Sequence, residues 1–87
     1  MTVTKKMVVD HLKAYLLGQA SIDEIVSWAE DVMAEGEIED QDFEVVREIV
    51  SRLGLGDVAA FGLTWEDMCE MLARLGYRAK VELEARV

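Results

Sequence analysis

A mainly α fold, built as a four-helix bundle-like single domain with a short connector helix and a C-terminal β-strand, is what the sequence predicts, on three observations. Four segments place apolar residues at the 3.6-residue period of a helix with one buried face. Glycines stand just beyond these segments and proline is absent from the chain. Past Gly76 the period shortens to two, the pattern of a strand with one wet face. The expected helices span about 4–17, 22–34, 42–53 and 65–75, with an extended segment over 77–84, all within one domain over 1–87.

The first helix takes Thr2 or Thr4 as its cap and turns Val8, Leu12, Tyr15 and Leu16 inward, at i, i+4, i+7 and i+8. Lys13 falls in its last turn, where a cation suits the helix dipole. The second helix opens at Ser21. Its hydroxyl can bond the amide of Glu24 while the Glu24 carboxylate reaches back, a reciprocal capping box. Ile22, Ile25, Val26, Ala29, Val32 and Met33 form its apolar stripe, opposite Asp23, Glu24, Ser27, Glu30 and Asp31. Trp28 lies at the edge of that stripe, so its ring is expected to be part buried and part exposed.

The third helix, capped by Asp40 or Asp42, turns Phe43, Val46, Ile49, Val50 and Leu53 inward and Glu44, Arg47, Glu48, Ser51 and Arg52 outward. The segment Leu53 to Leu63 reads as a connector with one helical turn at Asp57 to Phe61. Thr64 begins a second capping box with Asp67, and Trp65, Met68, Cys69, Leu72 and Leu75 give the fourth helix its stripe. Gly18, Gly36, Gly54 and Gly76 are each expected to form a left-handed cap. Tyr77, Ala79, Val81 and Leu83 alternate with Arg78, Lys80, Glu82 and Glu84. Such a strand must pair with residues 1–4, with a second copy or with a partner protein; the alternative is a frayed, charged end.

Composition limits what such a domain can do. At 87 residues a chain buries only about 60–65% of its unfolded surface, so nearly every apolar stripe goes into one core and none is left to wall off a deep pocket. No apolar run exceeds four residues, which argues against a membrane span and a signal peptide. A single cysteine, Cys69, fits a reducing compartment, so the expected location is cytoplasmic.

The net charge of −9 is unevenly placed. Residues 1–18 carry +2 and residues 71–87 carry +2, while residues 19–70 set fifteen acids against Arg47 and Arg52. Eight of the 18 acids lie between Glu30 and Glu44. A field of this sign repels nucleic-acid phosphates and anionic lipid, which argues against both as partners, and steers basic proteins or cations inward.

Residue constellations for chemistry are missing. With one histidine, His11, and one cysteine, a zinc site would rest on carboxylates, and none is expected. Cys69 lies in the inward stripe, where core packing is expected rather than a nucleophile paired with His11. Reading Asp31 to Asp42 as a calcium loop puts Gly36 and Ile38 in register, but Met33 stands where an oxygen is needed and Asp42 is too short for bidentate reach. Ser21 in ASIDEIV stands where acyl carrier proteins hold their prosthetic group, yet Ala20 replaces the expected aspartate and the loop before it is too short. No catalytic, metal or cofactor-binding residue is therefore assigned, and no cofactor is expected.

Recognition by surface is what these residues leave. In size, charge, helix content and its LTWEDMCEMLARLGYRAKVEL ending, the chain resembles the small acidic helical immunity proteins with which bacteria neutralise their own toxins. The paired-tyrosine motif of the nuclease-colicin immunity proteins is missing, so no binding residue is carried over. The resemblance implies an inhibitor of a basic toxin domain. From the residues themselves, the expected partner-binding face is Glu24, Trp28, Asp31, Glu35, Glu37, Glu39 and Asp40. The competing expectation is a structural or adaptor module that forms homodimers through the C-terminal strand.

Overall fold

The computed structural model describes residues 2–58, 62–80, 83 and 85. Its elements are β1 (Thr2–Val3), α1 (Lys5–Leu16), α2 (Ile22–Glu35), β2 (Glu37–Ile38), α3 (Phe43–Leu53) and α4 (Trp65–Arg74). Each expected helix is present with its ends displaced by at most one residue, and the capping chemistry explains that agreement. The Thr4 hydroxyl accepts from the Met7 amide at 3.3 Å. Reciprocal capping boxes form at Ser21 with Glu24 and at Thr64 with Asp67. These side chains satisfy amides that the first turn of a helix otherwise leaves without a partner.

α3 starts differently from the expectation. Asp42 precedes it in the left-handed conformation, at φ 60°, and makes no side-chain cap. Its carboxylate turns instead to the Lys5 ammonium, 3.6 Å away. Of the four glycine caps, Gly18 and Gly76 have positive φ and Gly36 and Gly54 do not. Gly36 is required for space: a Cβ there would lie 2.8 Å from the Val32 carbonyl oxygen, because the chain leaves α2 extended and folds straight into β2.

One core joins all four helices. Val8, Val9 and Leu12 of α1, Ile25, Ala29 and Val32 of α2, Val46, Ile49, Val50 and Leu53 of α3, and Met68, Met71 and Leu72 of α4 pack with Val3 and Leu75. α2 and α3 pack most extensively, and α1 touches α2, α3 and α4. No buried polar side chain interrupts this core among the described residues. Arg52 crosses from α3 to the Gly62 carbonyl and the Asp67 carboxylate, and Glu48 pairs with Arg74, so two polar links brace α3 against α4.

Three expectations need correction. The N-terminal segment pairs with β2, in parallel, with Thr2 opposite Glu37 and Val3 opposite Ile38. The acidic turn thus supplies the second strand, and the intervening helices make the crossover that parallel strands demand. Tyr77–Lys80 belong to no strand; the remainder of the 77–84 expectation falls largely outside the described residues. Asp57 and Val58 sit in a turn and a bend, and the rest of the expected connector helix also lies outside them.

A further correction concerns α4. Its buried face is Met68, Met71, Leu72 and Leu75, leaving Trp65 47% exposed and Cys69 only partly buried. The face is rotated by about half of the ~100° step between successive residues, which admits Met71 and turns Trp65 and Cys69 aside. Met33 and Phe43, also expected inside, are 49% and 42% exposed at the mutually facing ends of α2 and α3.

Candidate functional site

Helical spacing assembles the first part of the expected binding face. Glu24, Trp28, Asp31 and Glu35 stand at i, i+4, i+7 and i+11 of α2, one above the next along a single stripe beside the buried face. The chain then enters β2, which fixes Glu37 and Ile38 against Thr2 and Val3. An acidic ridge therefore runs up α2 and continues into the short sheet.

Trp28 is the anchored point of the ridge. Its indole stacks on the His11 imidazole of α1, with ring centroids 3.8 Å apart and planes 15° from parallel. The imidazole is itself held, since Nδ1 lies 2.7 Å from the Met7 carbonyl oxygen. A carbonyl can only accept, so Nδ1 is the donor of this bond. The pair fixes Trp28 while leaving it half-buried, as expected for a residue at the stripe's edge.

The seven residues are not equivalent. Glu24 is engaged in the Ser21 capping box, where its Oε1 accepts from the Ser21 amide and hydroxyl at 3.4 and 3.3 Å. Glu39 is half-buried, and its Oε1 accepts from the Lys5 amide at 3.2 Å, in the first turn of α1. That contact ties the Glu39 side chain to the start of α1, where it supplies an acceptor to an amide that the first turn of a helix otherwise leaves without a partner. Glu24 and Glu39 thus have local structural work. Asp31, Glu35, Glu37 and Asp40 are exposed and form no ion pair among the described residues. Beside Glu37 a shallow depression of about 440 Å³, lined by Val32, Met33, Ile38, Phe43 and Arg47, brings apolar surface to the foot of the ridge.

The calcium-loop reading has no loop to occupy, because Asp31, Met33 and Glu35 are helical and Glu37–Ile38 form a strand. Among the described residues no group of three or more His, Cys, Asp and Glu side chains could hold a metal ion. Nor does a bond join Cys69 to His11, whose ring is committed to Trp28 and Met7.

A second surface was not singled out from the sequence. A half-open cleft of about 470 Å³ lies where the end of α1 and the start of α4 meet Tyr77–Lys80; its apolar walls include Val9, Leu16, Leu17, Trp65 and Leu72. Its signal was the +2 charge at each end of the chain, which the fold brings together as Lys13, Arg78 and Lys80. Comparison with protein-family models, curated proteins and solved structures finds no match for this chain. No helix among the described residues is long and apolar enough to cross a membrane.

Proposed function

We propose that the chain is a non-enzymatic protein-binding domain that takes a basic partner, in the manner of an immunity-type inhibitor of a toxin domain, on the acidic ridge of α2 and β2. The observation that carries this reading is Trp28, held by the His11 stack in line with the exposed carboxylates of Asp31 and Glu35. A pre-positioned aromatic loses little rotamer freedom when a partner covers it. Neighbouring carboxylates speed encounter with a basic surface and select against an acidic one. Met33 and Phe43 extend the contact with exposed apolar area at the ridge's foot.

Glu37 and Asp40 complete the charged rim, whereas Glu24 and Glu39 contribute field from positions fixed by their own hydrogen bonds. The test is calorimetric titration with the purified basic product of the neighbouring gene, at two salt concentrations. The expected result is nanomolar binding that weakens with salt and with charge reversal of Asp31, Glu35 and Glu37. Binding that ignores the reversal would remove the ridge from the interface.

A further inference from the structure

The cleft between α1, α4 and Tyr77–Lys80 opposes the rest of the molecule in charge. Of the eight described Lys and Arg side chains, Lys5, Lys6, Arg52 and Arg74 form ion pairs. Lys13, Arg47, Arg78 and Lys80 form none among the described residues, and three of those four line this cleft. Among the described residues no acid lines it, in a chain with twice as many acids as bases. Between the cations, Leu17, Trp65 and Tyr77 are 59%, 47% and 46% exposed. The backbone of Arg78, Ala79 and Lys80 makes no hydrogen bond to another described residue.

We propose that this cleft is a second docking site, for an acidic, extended peptide segment of a partner protein. The cations would meet its carboxylates, the floor would take its apolar side chains, and the open backbone of residues 78–80 would pair with it as an added strand. Alternation along Tyr77–Lys80 suits that mode, because a paired strand reads side chains two apart. A second copy of this chain is the poorer occupant, since face-to-face pairing of two such clefts sets like charges against each other.

The acidic ridge does not forbid an acidic guest. His11, which holds Trp28, and Lys13, which lines the cleft, are two residues apart on α1 and so point to nearly opposite sides of it. A helix with its side chains is ~10–12 Å across, about one Debye length at 0.1 M salt. The nearby cations therefore set the local field, and the site is independent of the ridge and of what binds there.

A labelled synthetic peptide alternating glutamate with valine, titrated by fluorescence anisotropy, tests the proposal. The expected result is micromolar binding, no comparable binding of the lysine and valine analogue, and loss of at least tenfold in affinity for the triple variant K13E/R78E/K80E. Trp65→Ala should weaken binding about fivefold, an ordinary loss for an aromatic contact. All four positions are exposed, so unchanged thermal unfolding of the variants is the control for folding. In hydrogen exchange the peptide should slow the amides of Arg78 to Lys80. Equal affinity for the two peptides, indifference to the triple variant, or concentration-dependent dimers abolished by R78E would each overturn the proposal.

Discussion

The ridge and the cleft use charge in opposite ways. On the ridge, several acids serve the fold as well as the surface: Glu24 caps α2, Glu39 receives the first turn of α1 and Asp42 pairs with Lys5. In the cleft none of the three cations has an ion-pair partner among the described residues, and the aromatic rings beside them are less covered than Trp28. Charge density alone is therefore a poor guide to a binding face. What distinguishes a residue free to act is that its hydrogen bonds and ion pairs are not already committed within the molecule.

The sharpest way to break this comparison is charge reversal on each side. Asp31→Lys, Glu35→Lys and Glu37→Lys together should slow association with a basic partner by about 100-fold at low salt. K13E/R78E/K80E should leave that association unchanged or slightly faster, by stopped-flow measurement. The tryptophans come next. Trp28→Ala should cost about 2 kcal/mol of stability, since it removes a half-buried ring and its stacking contact with His11. Trp65→Ala should cost less than about 1 kcal/mol, as expected for a surface position. Urea unfolding checks both, read as a shift in midpoint at constant slope.

The four helices were legible because periodicity and caps agree locally: Ser21 with Glu24 and Thr64 with Asp67 fix their helix starts through contacts three residues apart. Trp28 was legible for the same reason, since its angular position on α2 follows from counting. The pairing of Glu37 and Ile38 with Thr2 and Val3 was not, because two-residue strands have no period to read and their register depends on how α1 and α2 pack. Nor could the sequence separate Glu39 from Glu37, as the amide that engages Glu39 belongs to Lys5, 34 residues away. Trp65 and Cys69 were misplaced by a rotation smaller than one residue step. The cleft needed the two ends of the chain to meet, a long-range fact, although the positive charge at each end marked its ingredients.

The difference between committed and uncommitted acids gives a smaller, cleaner contrast. Glu39→Ala removes the acceptor of the half-buried Lys5 amide and should cost about 1 kcal/mol. Glu37→Ala, with an exposed side chain, should stay within about 0.5 kcal/mol of the parent. Equal effects in chemical denaturation would mean that Glu39 is as uncommitted as its neighbour, and would return it to the binding face.

The smallest effect is on the cleft side, at the cap that sets the start of α4 and with it Trp65. The Asp67 carboxyl is held below its ordinary range first by its hydrogen bond to the Thr64 amide and then by the Thr64 side chain; desolvation opposes them, and the Arg52 charge adds the least. A carboxylate whose folded pKa is depressed stabilises the fold above its unfolded value of about 3.9, and that contribution is lost as pH falls through the folded value. Stability should therefore decline below about pH 4 partly through Asp67, and Asp67→Asn should flatten that part of the decline in thermal unfolding measured from pH 5 downward. Because Asp67 is accessible to solvent, added salt should shrink the Arg52 share while leaving the two Thr64 hydrogen bonds in force. A variant whose acid profile matches the parent would mean that the cap contributes equally in both protonation states, and that α4 is positioned by Met68, Leu72 and Leu75 alone.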